Sequence, residues 1–88
     1  MYYTYILENN EKTLLFIGCT SDLKQVLKER RSGNVHLVEC SNLVYYELSD
    51  SEKHATEREK AIKAMTRKER ASFIKAFNPE EIDLSSEL

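Results

Sequence analysis

Residues 2–18 read YYTYILENNEKTLLFIG, and this stretch decides the fold. Residues 2–7 are rich in tyrosine, threonine and isoleucine, side chains that suit a pleated, half-buried strand. The polar run Glu8, Asn9, Asn10, Glu11 and Lys12 is turn-prone, and residues 13–17 read as a second strand that Gly18 closes. Two short strands joined by a polar turn predict an antiparallel hairpin.

Working outward, Ser21 is a good helix N-cap, and Asp22 suits the positive end of a helix dipole. Leu23, Val26, Leu27 and Arg30 then share one face by helical spacing, and Gly33 suits the left-handed position beyond the last turn. Residues 42–48 (NLVYYEL) predict a third strand, while 35–38 could add another or remain irregular. Ser49 and Glu52 have capping-box spacing, which starts a helix over 50–64. Thr66 and Glu69 repeat that spacing and start a helix over 67–77, which Asn78 and Pro79 stop. The order β-β-α-β-α-α predicts an α+β fold, a small three-stranded antiparallel sheet flanked by three helices.

Length and composition agree with a single domain. The chain has 88 residues, two glycines and one proline, so little of it is free to be loop. A domain of this size buries only about 60–65% of the surface exposed by its unfolded chain. The domain is expected over 1–78, with 79–88 as an acidic, frayed tail. Two cysteines and no long apolar run exclude a disulfide scaffold and a membrane-spanning helix. The first ten residues lack the pattern of a secretory signal, so a cytoplasmic location with Cys19 and Cys40 as free thiols is expected.

The net charge of −2 argues against a protein that coats nucleic acid indiscriminately. The charge is unevenly spread, however. Residues 52–77 hold eight cations against four anions, whereas 78–88 hold four anions and no cation. A basic helical face is therefore compatible with an acidic total.

One residue is out of place. Ala55, Glu59, Ile62 and Met65 fall on one face of the predicted second helix, with Glu59 in the middle of its apolar stripe. A carboxylate facing a core costs several kcal/mol unless it is paired, hydrogen-bonded or bound to a cation. Either Glu59 pairs with a base such as Arg58 or Lys63, or it faces a polar cleft where it could hold a hard divalent cation.

Tyr3-Thr4-Tyr5-Ile6-Leu7, Phe16-Ile17-Gly18, Thr20, Asp22-Leu23 and Ser32-Gly33 together resemble the GIY-YIG nuclease superfamily. Its small single-domain bacterial members, related to the N-terminal nuclease domain of the bacterial excinuclease, are the nearer likeness. LVYYE at 43–47, Arg58-Glu59-Lys60, Ile62-Lys63, Thr66-Arg67, Asn78-Pro79-Glu80 and Asp83-Leu84 extend that likeness in the same order. The resemblance implies a phosphodiesterase site built from two tyrosines, a helix arginine often followed by a histidine, and a glutamate carrying one divalent metal. In such a site a base activates water, while metal and guanidinium neutralise the transition state.

Carried onto this chain, the resemblance makes Tyr5 the first catalytic tyrosine and Glu59 the ligand for Mg2+. Phe16 stands where the second tyrosine belongs, and Val26 where the helix arginine belongs. Arg30 occupies the histidine position. Loss of a transition-state arginine costs on the order of 10²–10⁵ in rate, and loss of a positioned acid or base roughly 10²–10⁴. The expectation is a degenerate, inactive nuclease-like domain that binds nucleic acid or protein. The alternative is an active metal-dependent DNA endonuclease in which Arg30, one turn from Val26, replaces the missing guanidinium. Lys24, Arg30, Arg31, Lys60 and Lys63 are the expected phosphate-facing cations. His36 and His54 lack a partner at metal-ligand spacing and read as surface residues, and Cys19 as a structural thiol.

Overall fold

The computed structural model describes residues 1–31 and 40–88, with Arg31 described through its backbone alone. Ser32, Gly33, His36 and the stretch 35–38 lie outside the described residues. Three strands, β1 (Tyr2–Glu8), β2 (Leu15–Thr20) and β3 (Asn42–Ser49), form an antiparallel sheet in the order β2-β1-β3. The helices are α1 (Leu23–Arg31), α2 (Glu52–Lys63) and α3 (Arg67–Phe77), and a 3₁₀ turn spans Leu84–Glu87. The β-β-α-β-α-α order and the α+β class are those read from the sequence.

Strand alternation splits the core into two layers. Tyr5 and Leu7 point to one face, where they pack with Leu23 and Leu27 of α1 and Leu43 of β3. Ile6 points to the other face, against Val44, Tyr45, Ile62 of α2 and Ile74 of α3. Thr4 on that face is fully buried and donates its hydroxyl to the Ala55 carbonyl at 3.0 Å, fixing α2 on the sheet. The pairing of β1 with β3 slips between Ile6 and Leu7, whose partners are Tyr45 and Leu43. Val44 is thereby left over as a bulge, which lets the consecutive Val44 and Tyr45 enter the same cluster.

Several local expectations change. The second strand begins at Leu15, not at 13, because Asn9 takes residues 13 and 14 for the turn. Its Oδ1 accepts from the amides of Thr13 and Leu14 at 2.9 and 3.0 Å, and its Nδ2 donates to the Thr13 hydroxyl. Gly18 does not close that strand; it pairs with Tyr5, and β2 runs on to Thr20. Asp22, not Ser21, caps α1, its Oδ1 accepting from the Gln25 amide at 3.1 Å. Ser51, not Ser49, caps α2 by accepting from the His54 amide. Ser49 instead extends β3 opposite Tyr2, and its buried Oγ has no hydrogen-bond partner among the described residues. The Thr66–Glu69 capping box on α3 is present in both directions.

The C-terminal segment is docked, against the expectation that it frays. Asn78 caps α3 and sends its Nδ2 to the carbonyls of Val44 and Ile82, at 3.3 and 2.8 Å, while its Oδ1 accepts from the Ile82 amide. Asp83 Oδ1 accepts from the Leu43 amide at 3.2 Å, and Leu84 enters the core on the α1 side. Tyr46 donates to Glu87 at 2.9 Å. The segment's negative charge suggests a solvated tail, but its apolar and side-chain-acceptor positions suit the end of β3. Among the described residues no helix is long and apolar enough to cross a membrane, and Cys19 and Cys40 are both free thiols.

Asn78→Ala leaves two carbonyls and an amide without this partner. It should cost about 1–3 kcal/mol in urea denaturation and speed amide exchange through residues 79–88, with little change in the helices.

Candidate functional site

The site forms at the β2 edge of the sheet, where one small residue permits a close approach. Gly18 lies opposite Tyr5, and a Cβ at Gly18 would stand 2.8 Å from the Tyr5 hydroxyl and 3.1 Å from Phe16 Cε1. The phenol therefore lies across the glycine and reaches the strand's edge. Tyr5 is 4% exposed, and its ring centroid lies 6.2 Å from that of Phe16. Above Phe16 sits Arg30 from the last turn of α1, its guanidinium carbon 4.1 Å from the ring centroid, a cation–π contact. Val26, one turn earlier, packs against the α1-side core with Phe16.

The next residue of β2 points the other way. Cys19 pairs with Thr4 and faces α2, where its Sγ lies 3.9 Å from Thr56 Oγ1. Its thiol also lies close enough to Glu59 for the carboxylate to raise its pKa. Lys63, one turn along α2, places its Nζ 2.6 Å from Glu59 Oε2. The Glu59 side chain is 20% exposed and that of Lys63 54%, so the pair stands at the rim and not in the core.

Electrostatics follow this arrangement. Burial pushes the Tyr5 phenol above its ordinary range; the Arg30 charge opposes this, while Cys19 and Glu59 add to it. Burial and the Glu59 carboxylate likewise raise the Cys19 thiol. The hydrogen bond from Lys63 outweighs burial and holds the Glu59 carboxyl below its ordinary value, with Cys19 and Lys60 assisting. The β2 edge thus carries a neutral phenol, a neutral thiol, an ionised carboxylate and a guanidinium, the phenol and the guanidinium nearly buried. Those four groups sum to no net charge, so what would attract a phosphate here is the exposed Lys60 and Lys63, and a phenol held neutral is a weak base at neutral pH.

Of the residues singled out from sequence, Tyr5, Phe16 and Arg30 meet on the α1 face of the β2 edge and Glu59, Lys60 and Lys63 on its α2 face, with the Glu59 charge felt at the Tyr5 phenol. Lys24 joins neither group: it lies in the first turn of α1, against Ser21, Tyr3 and Leu88, at the opposite end of the helix from Arg30. The Arg31 side chain lies outside the described residues. His54 is exposed. Arg58, one of the two bases within reach of Glu59 by sequence, instead binds Glu47, with Nε to Oε2 at 2.9 Å and Nη2 to Oε1 at 3.0 Å. The Tyr45 hydroxyl donates to the same Glu47. Burial alone would raise the Glu47 carboxyl, but the bonds from Arg58 and Tyr45 leave it lowered.

Sequence reasoning misses Thr56 and this Glu47–Arg58–Tyr45 network. Tyr45 and Glu47 are two apart on a strand and so share a face, which is a usable signal. Nothing local shows that Arg58 lies over that face.

Among the described residues no group of three or more His, Cys, Asp or Glu side chains is placed to hold a metal ion. Glu59 offers one hard oxygen donor, which fits magnesium only in the mode where water and substrate phosphate complete the shell. The Cys19 thiol is too soft to help.

The family model described as the GIY-YIG catalytic domain matches residues 1–72. The chain belongs to the GIY-YIG family. A UPF0213 protein of Syntrophus aciditrophicus (strain SB) is 37% identical over 83 residues, covering 89% of this chain and 93% of that one. The solution NMR structure of a UPF0213 protein from Bacillus halodurans superposes with a TM-score of 0.59 at 22% identity, over 91% of this chain and 89% of that one. At that identity the likeness speaks to the fold alone. The fold places the GIY-YIG segments of this chain, Tyr3-Thr4-Tyr5 and Phe16-Ile17-Gly18, on the paired strands β1 and β2.

In this GIY-YIG chain Gly18→Ala should displace the Tyr5 ring and destabilise the fold by about 1–3 kcal/mol, the usual range for overpacking. Adding Tyr5→Phe, which removes the nearest atom, should recover part of the loss in urea denaturation. A second expectation concerns charge. Lys63→Gln should raise the Glu59 carboxyl pKa in a side-chain carboxyl NMR titration, because the ammonium that lowers it is gone.

Proposed function

We propose that this GIY-YIG domain does not cleave DNA and keeps the β2 edge with its neighbouring lysines as a nucleic-acid-binding surface. One observation carries the first half. Phe16 and Val26, at the positions where the family resemblance places a phenol and a guanidinium, are packing side chains, and Arg30 lies on the Phe16 ring. A guanidinium held over a ring on a nearly buried residue is poorly placed to follow charge developing on a phosphate. Family membership, exposed Lys60 and Lys63 beside that edge, and the cation excess of α2 and α3 support the second half. Glu59 would hold Mg2+ once a phosphate displaced Lys63, and the ion would then neutralise backbone charge.

Branched, nicked and single-stranded DNA, each titrated by fluorescence anisotropy, test binding. We expect binding at low salt that weakens as salt rises, and further weakening in Lys60→Ala/Lys63→Ala. With Mg2+ or Mn2+ present, gels should show no product. Metal-dependent cleavage that disappears in Glu59→Ala would overturn the proposal in favour of an active endonuclease using Arg30. No binding to any of the three DNAs at low salt would overturn it in favour of a protein partner. Phe16→Tyr/Val26→Arg should restore measurable cleavage if the loss of those two groups is what silenced the site.

A further inference from the structure

A cavity of about 350 Å³ lies away from the Tyr5–Glu59 edge, between the β1–β2 turn, α3 and the C-terminal segment. Its volume is at the small end of ligand pockets, enough for one small molecule. Glu8, the last residue of β1, lines it, and only 7% of the residue is exposed. No ion pair or hydrogen bond engages the Glu8 carboxylate among the described residues. Its oxygens are not sealed off, since Ser49 Oγ is the one buried side-chain polar atom without a partner among the described residues, so the carboxylate faces the cavity and meets solvent there. Burial raises its pKa, the Glu81 carboxylate adds to the rise, and Lys12 opposes it. This agrees with a group that lacks a cationic partner of its own.

The other charges around the cavity are unequally committed. Lys12 is paired with Glu81 at 3.3 Å. Arg70 is turned onto the last carbonyls of α2, reaching Ile62, Lys63 and Met65 at 3.0–3.4 Å. Arg67, on the first turn of α3, makes no ion pair or side-chain hydrogen bond among the described residues. The cavity thus has one carboxylate, Glu8, and one exposed guanidinium, Arg67, that no protein side chain pairs among the described residues. Leu14, Leu15 and Ala71 supply apolar wall, and both leucines are substantially exposed. A simple anion would meet Glu8 and Glu81, and a simple cation would meet Arg67 and Arg70. A molecule carrying both charges meets neither penalty.

We infer that this cavity binds a small zwitterion, an α-amino acid with an apolar side chain. Its ammonium pairs with Glu8, its carboxylate with Arg67, and its side chain lies on Leu14, Leu15 and Ala71. The Asn9 side chain, which bonds the amides of Thr13 and Leu14, pre-forms the turn that carries the leucine wall. The inference does not rest on the DNA proposal, since none of these residues belongs to the Tyr5–Glu59 edge.

The full chain, uniformly 15N-labelled, is titrated with L-leucine, with N-acetyl-L-leucine (no ammonium), with L-leucinamide (no carboxylate) and with a nucleoside monophosphate. L-Leucine should produce saturable amide shifts confined to residues 8, 12–15 and 67–71. Each analogue should bind roughly 10–100-fold more weakly, the loss expected for one charge-assisted contact. Glu8→Gln should weaken L-leucine by a similar factor yet leave N-acetyl-L-leucine unchanged. The exposed Arg67→Gln should weaken L-leucine yet leave L-leucinamide unchanged, and a dispersed spectrum of either variant shows that it folds. Absence of saturable shifts with L-leucine, equal binding of an analogue, or stronger binding of the nucleotide at these residues would overturn the inference.

Discussion

Five consecutive residues of β1, Thr4 to Glu8, are buried, because this strand is central in the sheet and covered on both faces. A strand in that position has no solvent side on which to place polar groups. Every polar atom it carries must therefore find a partner or be part of a site. Thr4 uses its hydroxyl to anchor the α2 backbone. Tyr5 carries its hydroxyl across Gly18 to the sheet edge. Glu8 reaches the far end of the strand and faces a cavity. The Tyr5 edge and the cavity beside Glu8 are two ends of one constraint.

The same constraint sets the character of the Tyr5 edge. A phenol that must cross a glycine to reach the edge is held in a dry environment, which keeps it neutral. Around that phenol, the groups that carry charge are each matched within the protein: Arg30 by the Phe16 ring and Glu59 by Lys63. On β3, at the other edge of the sheet, Glu47 is matched by Arg58 in a two-point contact. Such two-point contacts fix geometry as well as charge, and this one ties β3 to α2. The tail adds a further clamp, with Asn78 and Asp83 satisfying backbone groups of β3 that its edge position leaves open.

Much of the fold is legible because its signals are local. The hairpin follows from β-favouring residues on either side of a polar turn, and α3 from a capping box at one end and Asn78-Pro79 at the other. The Leu23, Val26, Leu27, Arg30 stripe is visible as periodicity, and it is the face that meets the sheet. Local signals mislead where two residues can play the same part. Ser21 and Asp22 compete for one cap, as do Ser49 and Ser51, and in each case strand pairing or helix geometry chooses the second. The tail is misleading because its charge is visible and its receptor, the end of β3, is not.

For the site, the sequence by itself marks Tyr5, Glu59 and the changed residues Phe16, Val26 and Arg30, because motif spacing and an acid on an apolar stripe are properties of the chain alone. Only the tertiary structure decides what each of them touches. Glu59 meets Lys63 because they are a turn apart, which sequence can offer, but it meets Cys19 because β2 lies against α2, which sequence cannot. Arg58 is free to choose Glu59 or Glu47 until β3 and α2 are packed together. The isolation of Glu8 and Arg67 follows from the same cause: a residue's partners are set by packing between elements far apart in the chain.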